Sequence, residues 1–490
     1  MIDFEKYYIS DADEFREGYD NSLKLLKELG KKELREALIY HGIDLYSLME
    51  HDLAIFSTRL MNKLQEKKMI FPELILDRLK FEVKRILRAV KREKKEREFK
   101  KENKKVVVML YSSSQTDTIF PVLKELKKQE NLDLKVVSSG KFSQSKLQKE
   151  GISFNDLDLY YDEKTKNNIK EAKEKLKKAF KDIEEFKFRN KDLWKYYIPK
   201  IFEDLVAAIE QVDYIEKMIE LENPDIIVSA TDISICGKAE VLIAKKLGIP
   251  VIVSQHGAAI DCPYYQPTLA DKFVVWGQET KEMLIRRGYD ENKIFIAGST
   301  KYDGIKIKED IPKGEYILVA LQMFSLKEQK EFLEAIVPAL KDSGEKVCIN
   351  LHPGQKKELV EEYLKKYNLE AEIIPGQPSQ GISYFIENCK LLITVCSTVA
   401  IDAILMNKPV ITVNLTGKPD LLPYAKYHSA IGVYKKDDVK KAIEKALHNP
   451  KEKKKLLDGK NDFLKNYINF GKGNASKKFV ELILGMISKV

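Results

Sequence analysis

The sequence predicts an α/β protein in which two parallel-sheet domains follow each other along the chain and face each other across a cleft. Three observations carry this prediction. Short apolar runs recur from residue 105 onward, helical segments separate most of them, and a charged stretch from Lys306 to Gly314 divides the series in two. Strands that alternate with helices form parallel sheets whose faces are covered by helices. Ligands then bind at the carboxyl ends of the strands, where loops and helix N-termini converge.

The length of the chain independently requires more than one domain. A single hydrophobic core stops growing at roughly 250–300 residues, and this chain has 490. We predict a helical N-terminal region over residues 1–104, a first α/β domain over residues 105–310 and a second over residues 311–470. Residues 471–490 are predicted to form a C-terminal helix that crosses back onto the first domain.

The strands are predicted from apolar runs of four to seven residues, and the helices from the segments between them. In the first domain the runs are Val106–Tyr111, Leu134–Ser138, Asp225–Ala230, Pro250–Gln255, Lys272–Gly277 and Lys293–Gly298. In the second they are Tyr316–Gln322, Val347–Leu351, Ala371–Ile374, Leu391–Val395, Pro409–Asn414 and Ala430–Tyr434. The predicted helices are Ile119–Lys128, Lys166–Phe188, Ala239–Leu247, Lys327–Lys341, Lys356–Tyr367, Tyr384–Asn388, Thr398–Met406 and Ser476–Ser488.

The N-terminal region shows helical segments at Asp20–Leu29, Lys32–His41 and Glu73–Glu98, and no convincing strand. The last of these segments carries an apolar stripe and then a run of charges. Two interpretations stay open for it. The helix either docks on the rest of the protein with a solvated end, or it makes peripheral contact with anionic lipid through residues 73–105.

Composition restricts the partners and the compartment. The net charge of +9 is a small excess of 85 basic over 76 acidic residues, so no nucleic-acid partner is expected. There is no run of about 18 apolar residues and no basic-then-apolar N-terminus, which favours a cytoplasmic protein. The five cysteines form no CxxC pair and are interpreted as buried, reduced thiols rather than metal ligands.

The strongest candidate for acid–base chemistry is His256, which directly follows the predicted strand Pro250–Gln255. Gly257 beside it permits close approach of the backbone, and Gln255 precedes it. The competing interpretation is a histidine that bonds a loop carbonyl. Its position after a strand favours a catalytic role.

Two further motifs follow strands of the second domain. His352 and Pro353 end one strand, and Ser397 and Thr398 lie where another strand stops and a helix begins. Unpaired N–H groups, two hydroxyls and the positive end of a helix can bind an anion, although an ordinary N-cap uses the same residues. Asp402 lies one helical turn further on, where it can accept hydrogen bonds from a ribose.

Weaker candidates lie after other strands. Ser299 and Lys301 end the last strand of the first domain, on the hinge side of the cleft, and a simple hinge turn explains them equally well. Asp117, in the loop after the first strand, is a second candidate base. Neither a GxxxxGK[ST] loop nor a GxGxxG after the first strand is present, which argues against kinases and ordinary dehydrogenases.

With His256-Gly257, His352-Pro353 and Ser397-Thr398 in this order, the sequence resembles the GT-B superfamily, in particular capsule polysaccharide transferases and CDP-glycerol glycerophosphotransferases. Residues Trp276–Ile305 resemble the last strand–helix–strand unit of that family's first domain. The resemblance implies two Rossmann-like domains, with His256 as the base on an acceptor hydroxyl. It implies that His352, Ser397 and Thr398 contact the donor phosphates.

The function expected from this resemblance is transfer of a sugar from a nucleotide-sugar donor to a glycan or lipid-linked acceptor, without metal or cofactor. A CDP-glycerol phosphotransferase and a non-catalytic nucleotide- or glycan-binding subunit are the alternatives. A third alternative is the non-hydrolysing UDP-sugar 2-epimerase, which shares the two-domain layout. It ranks low because epimerases carry a His-Arg-Glu element where this chain has Gln322-Met323-Phe324-Ser325.

Overall fold

The computed structural model describes residues 38–49, 103–180, 187–188, 191–192, 194–260, 267–305, 314–322, 326–352, 355, 357–376, 378–470 and 474–488. Several predicted features lie outside these residues: the helices Asp20–Leu29 and Glu73–Glu98, Cys262, Pro353 and most of the stretch Lys306–Gly314. The other four cysteines carry free thiols, and three of them are buried.

The first sheet has seven parallel strands. In chain order they are β1 (Lys104–Leu110), β2 (Leu132–Ser138), β3 (Asn155–Asp156), β4 (Ile226–Ser229), β5 (Val251–Ser254), β6 (Lys272–Val275) and β7 (Ile294–Ile296). Their spatial order is β7-β6-β5-β4-β1-β2-β3. Val106–Leu110 of β1 is fully buried, as expected for a central strand covered on both faces.

The second sheet has six parallel strands. They are β8 (Tyr316–Ala320), β9 (Val347–Asn350), β10 (Glu372–Ile374), β11 (Cys389–Thr394), β12 (Val410–Val413) and β13 (Ile431–Val433). The order β10-β9-β8-β11-β12-β13 is the doubly wound order of Rossmann folds. The predicted fold class of two Rossmann-like α/β units is therefore confirmed.

Helices connect the strands and cover both sheets. They are α1 (Ser113–Leu126), α2 (Lys141–Lys149), α3 (Glu163–Phe180), α4 (Trp194–Glu222), α5 (Ile235–Lys246), α6 (Gln278–Arg286), α7 (Leu326–Ser343), α8 (Glu358–Tyr367), α9 (Ile382–Glu387), α10 (Val399–Leu405), α11 (Val439–His448), α12 (Pro450–Tyr467) and α13 (Ala475–Ile487). No helix within the described part of the chain is both long enough and apolar enough to cross a membrane.

Two helix predictions are wrong in their extent. The helix predicted at Lys166–Phe188 ends at Phe180, and Lys187–Phe188 pairs instead with Lys191–Asp192 as a short antiparallel ladder. The helix predicted at Lys32–His41 is replaced at its end by a hairpin of Ile39–Tyr40 and Ile43–Asp44. Its two turn residues, His41 and Gly42, have φ angles of 48° and 73°, a left-handed conformation that a helix excludes.

The two α/β units contact each other through residues that follow the carboxyl ends of strands in the first sheet. Trp276 and Tyr302, from the end of the first unit, are buried in a core cluster whose other members come mainly from the second. The Tyr467 hydroxyl donates to the carbonyl of Ala259 at 3.4 Å. The carboxylate of Glu279 accepts from Lys426 and Tyr427. The two units are thus joined by direct packing and hydrogen bonds.

The last helix, α13, packs on the first sheet although it follows the second one in the chain. Phe479, Val480 and Ile483 are buried in the core cluster that contains Val106 and Val108 of β1. The carboxylate of Asp303 accepts from the backbone N–H groups of Ala475 and Ser476 at 2.9 and 2.7 Å, which satisfies two N–H groups at the beginning of the helix.

A glycine allows helix α5 to begin close to the loop that precedes it. A Cβ atom on Gly237 would lie 2.0 Å from the carbonyl oxygen of Thr231, so the main chain would have to move. We expect Gly237→Ala to destabilise the protein by about 1–3 kcal/mol, visible as a lower melting temperature. Gly485→Ala in α13 is the control, because nothing lies within 4 Å of its added Cβ. Equal melting temperatures of the two variants would contradict this packing.

Candidate functional site

Each sheet has one switch point, a crevice between two adjacent strands from which the chain proceeds towards opposite edges of the sheet. In the first sheet this crevice lies between β1 and β4, and in the second between β8 and β11. Ligands of doubly wound sheets bind at such switch points, outside the carboxyl ends of the strands. Most of the polar residues singled out in the sequence follow a strand at a switch point or the strand next to it.

His256 lies just beyond the carboxyl end of β5, which pairs with β4. Its partly buried imidazole hydrogen-bonds the backbone carbonyl of Ala230, at the end of β4. Burial lowers the pKa of His256, and the bond to Ala230 offsets this effect only in part. The ring is therefore neutral near pH 7 with one nitrogen held by the protein, so that the other can accept a proton.

Asp232 is a second titratable group at the same edge of the sheet, and sequence reasoning missed it. It lies two residues after Ala230, whose carbonyl bonds His256. Burial raises the pKa of Asp232, although hydrogen bonds from Thr268 and the nearby charge of Lys238 lower it. The signal was present in the sequence, since Thr231 and Asp232 directly follow an apolar strand.

A buried carboxyl group lies behind this edge. Glu240 of α5 is completely buried and accepts a hydrogen bond from the Tyr111 hydroxyl at the end of β1. Burial raises the pKa of Glu240 to about 8, even though hydrogen bonds from Ser229 and Tyr111 lower it. At neutral pH Glu240 is therefore largely uncharged. It joins β1 to α5 across the switch point of the first sheet.

Ser397 and Thr398 follow β11 at the switch point of the second sheet. Helix α10 begins directly after Thr398, and the Ser397 hydroxyl accepts from the N–H of Val399 at 3.3 Å. The Ser397 carbonyl accepts from the Tyr424 hydroxyl at 3.0 Å, which fixes the turn. Thr398 is exposed and Ser397 half-buried, so both hydroxyls are accessible to a ligand.

His352 lies at the end of β9 with an exposed side chain, and partial burial lowers its pKa. Its loop is tied to the neighbouring strand by Gln355, whose side-chain oxygen accepts from the N–H of His352 at 2.8 Å. The amide of Gln355 donates to the carbonyl of Gln322 at 2.9 Å. Gln322 in turn accepts from the N–H of Cys396 at 2.6 Å. Uncharged amides thus bridge the loops after β8, β9 and β11.

Asp402 and Lys301 meet across the boundary between the two units. The ammonium group of Lys301, in the turn after β7, lies 3.3 Å from both carboxylate oxygens of Asp402 in α10. It also lies 3.3 Å from the hydroxyl of Tyr302. Asp402 hydrogen-bonds Tyr302 and raises its pKa, to which burial contributes most. The acidic group next to Ser397 and Thr398 is therefore already paired with a cation.

Two of the remaining candidates have structural partners, and the third carries a buried hydroxyl without one. Asp117 lies within α1 and forms an ion pair with Lys146. The side chain of Gln255 accepts from the N–H of Trp276 at 2.9 Å and donates to the carbonyl of Gly257 at 2.8 Å, so it holds the His256 loop. Ser299 is buried and its hydroxyl has no hydrogen-bond partner. Gln255 thus supports the loop of His256, whereas Asp117 is paired with a cation.

The chain matches the sequence model of the family described as UDP-N-acetylglucosamine 2-epimerase over residues 205–484, which is more than half of its length. This match runs from α4 to α13 and includes β4, β5 and the entire second sheet. No curated protein sequence matches the chain. The family match therefore includes parts of both α/β units.

Solved structures show the same fold. The UDP-GlcNAc 2-epimerase of Methanocaldococcus jannaschii is 17% identical with a TM-score of 0.52, and the match covers 78% of this chain and 99% of that one. The UDP-GlcNAc 2-epimerase of Neisseria meningitidis, solved with UDP-GlcNAc, is 14% identical with a TM-score of 0.52 over 78% and 100%. A protein of Rickettsia africae described as a glycosyltransferase is 14% identical with a TM-score of 0.51 over 79% and 100%.

These findings correct the activity expected from the sequence. The GT-B fold is confirmed, since 2-epimerases share it with glycosyltransferases, but the prediction of a glycosyltransferase is wrong because the family model that matches is that of the epimerases. The motifs at His256, His352 and Ser397 lie within the residues matched by this family model. The chain belongs to the UDP-N-acetylglucosamine 2-epimerase family.

Proposed function

We propose that this protein binds a UDP-N-acetylhexosamine in the cleft between its two sheets and inverts the configuration at C2 of the sugar. The observation that carries this proposal is the family match, which spans the His256 and Asp232 loops and the whole second sheet. The epimerase of Neisseria meningitidis, which has a similar fold, was solved with UDP-GlcNAc. The proposal assigns the nucleotide to the second sheet and the sugar to the first.

The nucleotide is assigned to the loops after β9 and β11. Ser397 and Thr398 present two hydroxyls, and the exposed His352 presents an imidazole on the neighbouring side of the switch point. Asp402 is assigned to the ribose, with Lys301 holding its carboxylate in place at 3.3 Å.

The chemistry requires two groups that exchange protons with C2 from opposite faces. The hydrogen on C2 of a UDP-hexosamine is not next to a carbonyl, so its removal is coupled to departure of UDP. The C–H electrons form a C1=C2 double bond while the C1–O bond breaks. A proton then returns to the other face of C2, and UDP adds back to C1. A neutral imidazole and a carboxyl group of raised pKa suit these two transfers.

His256 and Asp232 are the residues assigned to this exchange. They lie at the ends of neighbouring strands, and their pKa values are shifted towards each other, one lowered and the other raised by burial. Gln322 lies where epimerases carry the His-Arg-Glu element. The side-chain oxygen of Gln322 accepts a hydrogen bond from the N–H of Cys396 at 2.6 Å. The proton transfers are therefore assigned to the first unit alone.

The test is isotope exchange at C2. The protein is incubated with UDP-GlcNAc, and separately with UDP-ManNAc, in deuterated water, and both sugars are analysed by NMR and mass spectrometry. The proposal expects each to yield the other, with one deuterium incorporated at C2. Binding of UDP-GlcNAc without exchange or epimer formation would reduce the protein to a nucleotide-sugar-binding role and overturn the proposal.

The assignment of the nucleotide to the second sheet gives a separate prediction. UDP at about 100 times its dissociation constant stabilises the native state by roughly 2.7 kcal/mol, which raises the melting temperature. We expect Ser397→Ala and His352→Ala each to reduce this rise at a fixed UDP concentration, because each removes a group assigned to the phosphates. Ser488→Ala, at the exposed end of α13, is the control. An undiminished rise in both site variants would place UDP elsewhere.

A further inference from the structure

A cluster of metal-ligand side chains lies where the N-terminal hairpin contacts α4, away from the proposed active site. His41, in the hairpin turn, faces Asp213 and Glu216, which are three residues apart on α4. Its Nδ1 atom lies 2.7 Å from Oε2 of Glu216 and 3.7 Å from Oδ1 of Asp213. The three donor atoms lie within 4.8 Å of one another. Among the described residues this is the one such group.

The buried carboxylate of Asp213 would be stabilised by a bound cation. The residue is only 5% exposed, and its Oδ2 atom is buried without a hydrogen-bond partner. Its Oδ1 atom accepts from the Tyr40 hydroxyl at 2.9 Å. The side chain of Asn168 also hydrogen-bonds Asp213. An ionised carboxylate buried this deeply is unfavourable unless a positive charge lies beside it.

The surrounding groups orient the ligands without filling the site. The Tyr40 ring stacks on the His41 ring with centroids 4.1 Å apart, and its hydroxyl holds Asp213, so one residue fixes two ligands. The ammonium group of Lys246 lies 3.7 Å from Oε1 of Glu216 and also donates to the backbone carbonyl of His41. Such second contacts are typical of metal ligands, whose orientation depends on them.

We propose that His41, Asp213 and Glu216 bind a divalent metal ion of the zinc class, which fastens the N-terminal hairpin to the first α/β unit. A neutral imidazole and two carboxylates balance the charge of such an ion. A tetrahedral Zn²⁺ with bonds of about 2.0–2.2 Å separates its ligand atoms by about 3.4 Å. The 3.7 Å pair has to close by about 0.3 Å to reach this spacing, and the 2.7 Å pair has to open by about 0.7 Å. His41 is 38% exposed, which leaves room for water as a fourth ligand.

The experiment uses the full chain after treatment with a chelator. Zn²⁺, Mn²⁺ and Mg²⁺ are added separately, and the melting temperature and the binding isotherm are measured. We expect Zn²⁺ to bind with a stoichiometry of one and to raise the melting temperature by about 3 °C at saturation, with Mg²⁺ inactive because imidazole is a poor ligand for it. Hydrogen exchange in residues 38–49 should slow when Zn²⁺ is bound.

Three variants connect this response to the cluster. His41→Ala, Glu216→Gln and Asp213→Asn should each abolish the Zn²⁺ response, while His448→Ala, at an exposed helix end, should keep it. Asp213→Asn also removes the buried charge, so this variant should remain folded and its lost response cannot be attributed to unfolding. No response in the wild type, or an equal response in all variants, would overturn the proposal.

Discussion

Replacing Asp232 with Asn, or His256 with Gln, should each reduce epimerisation and deuterium incorporation at C2 by about 10²- to 10⁴-fold, the usual contribution of a positioned acid or base. The substitutions keep the size and hydrogen-bonding capacity of the side chains but remove their ability to exchange a proton. Because both groups belong to the first sheet, we expect UDP to bind the variants as it binds the wild type.

Two controls separate this result from general damage. Asp458→Asn and His448→Gln make the same chemical changes at exposed positions of the second unit and should leave the rate within twofold. The melting temperatures of the site variants should also stay close to that of the wild type. If either variant at Asp232 or His256 exchanged deuterium at the wild-type rate, that residue would have no role in proton transfer.

Replacing Glu240 with Gln should stabilise the protein at pH 8. Burial raises the pKa of Glu240 from 4.5 to about 8 in the folded chain. Between these values the folded state keeps a proton that the unfolded chain releases, so stability is full below pH 4.5 and falls as the pH rises towards 8. The loss over this range is on the order of 5 kcal/mol. Glutamine carries no titrating proton and can still accept from Tyr111.

The measurement is the melting temperature of both proteins from pH 5 to pH 8. The difference between Glu240→Gln and the wild type should grow in favour of the variant as the pH rises. Glu220→Gln, an exposed substitution in α4, is the control and should show no such trend. A difference in melting temperature that is constant with pH would mean that Glu240 is ionised in the folded protein. The assignment of a buried, uncharged Glu240 next to Tyr111 would then be wrong.

The fold was largely predictable because the strands of parallel sheets covered on both faces are short runs of apolar residues in the sequence. Each strand from β4 to β13 lies inside the corresponding apolar run or within two residues of it, and most of these strands are buried along their whole length. Helix α4 was missed, and the end of α3 was placed too late, because local pattern alone does not show where one helix stops. The hairpin at His41 depends on two residues with left-handed backbone conformations, which the spacing of apolar residues does not indicate.

The positions of the candidate residues at strand ends could be predicted from the sequence, but the reaction could not. The rule that ligands bind beyond strand ends selected His256, His352 and Ser397, which the structure has at the ends of β5, β9 and β11. The same rule applied to β4 would have selected Asp232. The reaction could not be deduced, because transferases and epimerases share this fold. Residues such as Gln255 and Asp117 acquire their structural partners only through tertiary contacts.

The position of α13 has a consequence for the order in which the protein folds. Domains generally fold as units during synthesis, beginning with the one nearest the N-terminus. Here Phe479, Val480 and Ile483 fill part of the core against β1, so the first sheet keeps an apolar face open until the end of the chain has been made. The second sheet, by contrast, has all of its strands before residue 434. The unit that is translated first is therefore the one that is completed last.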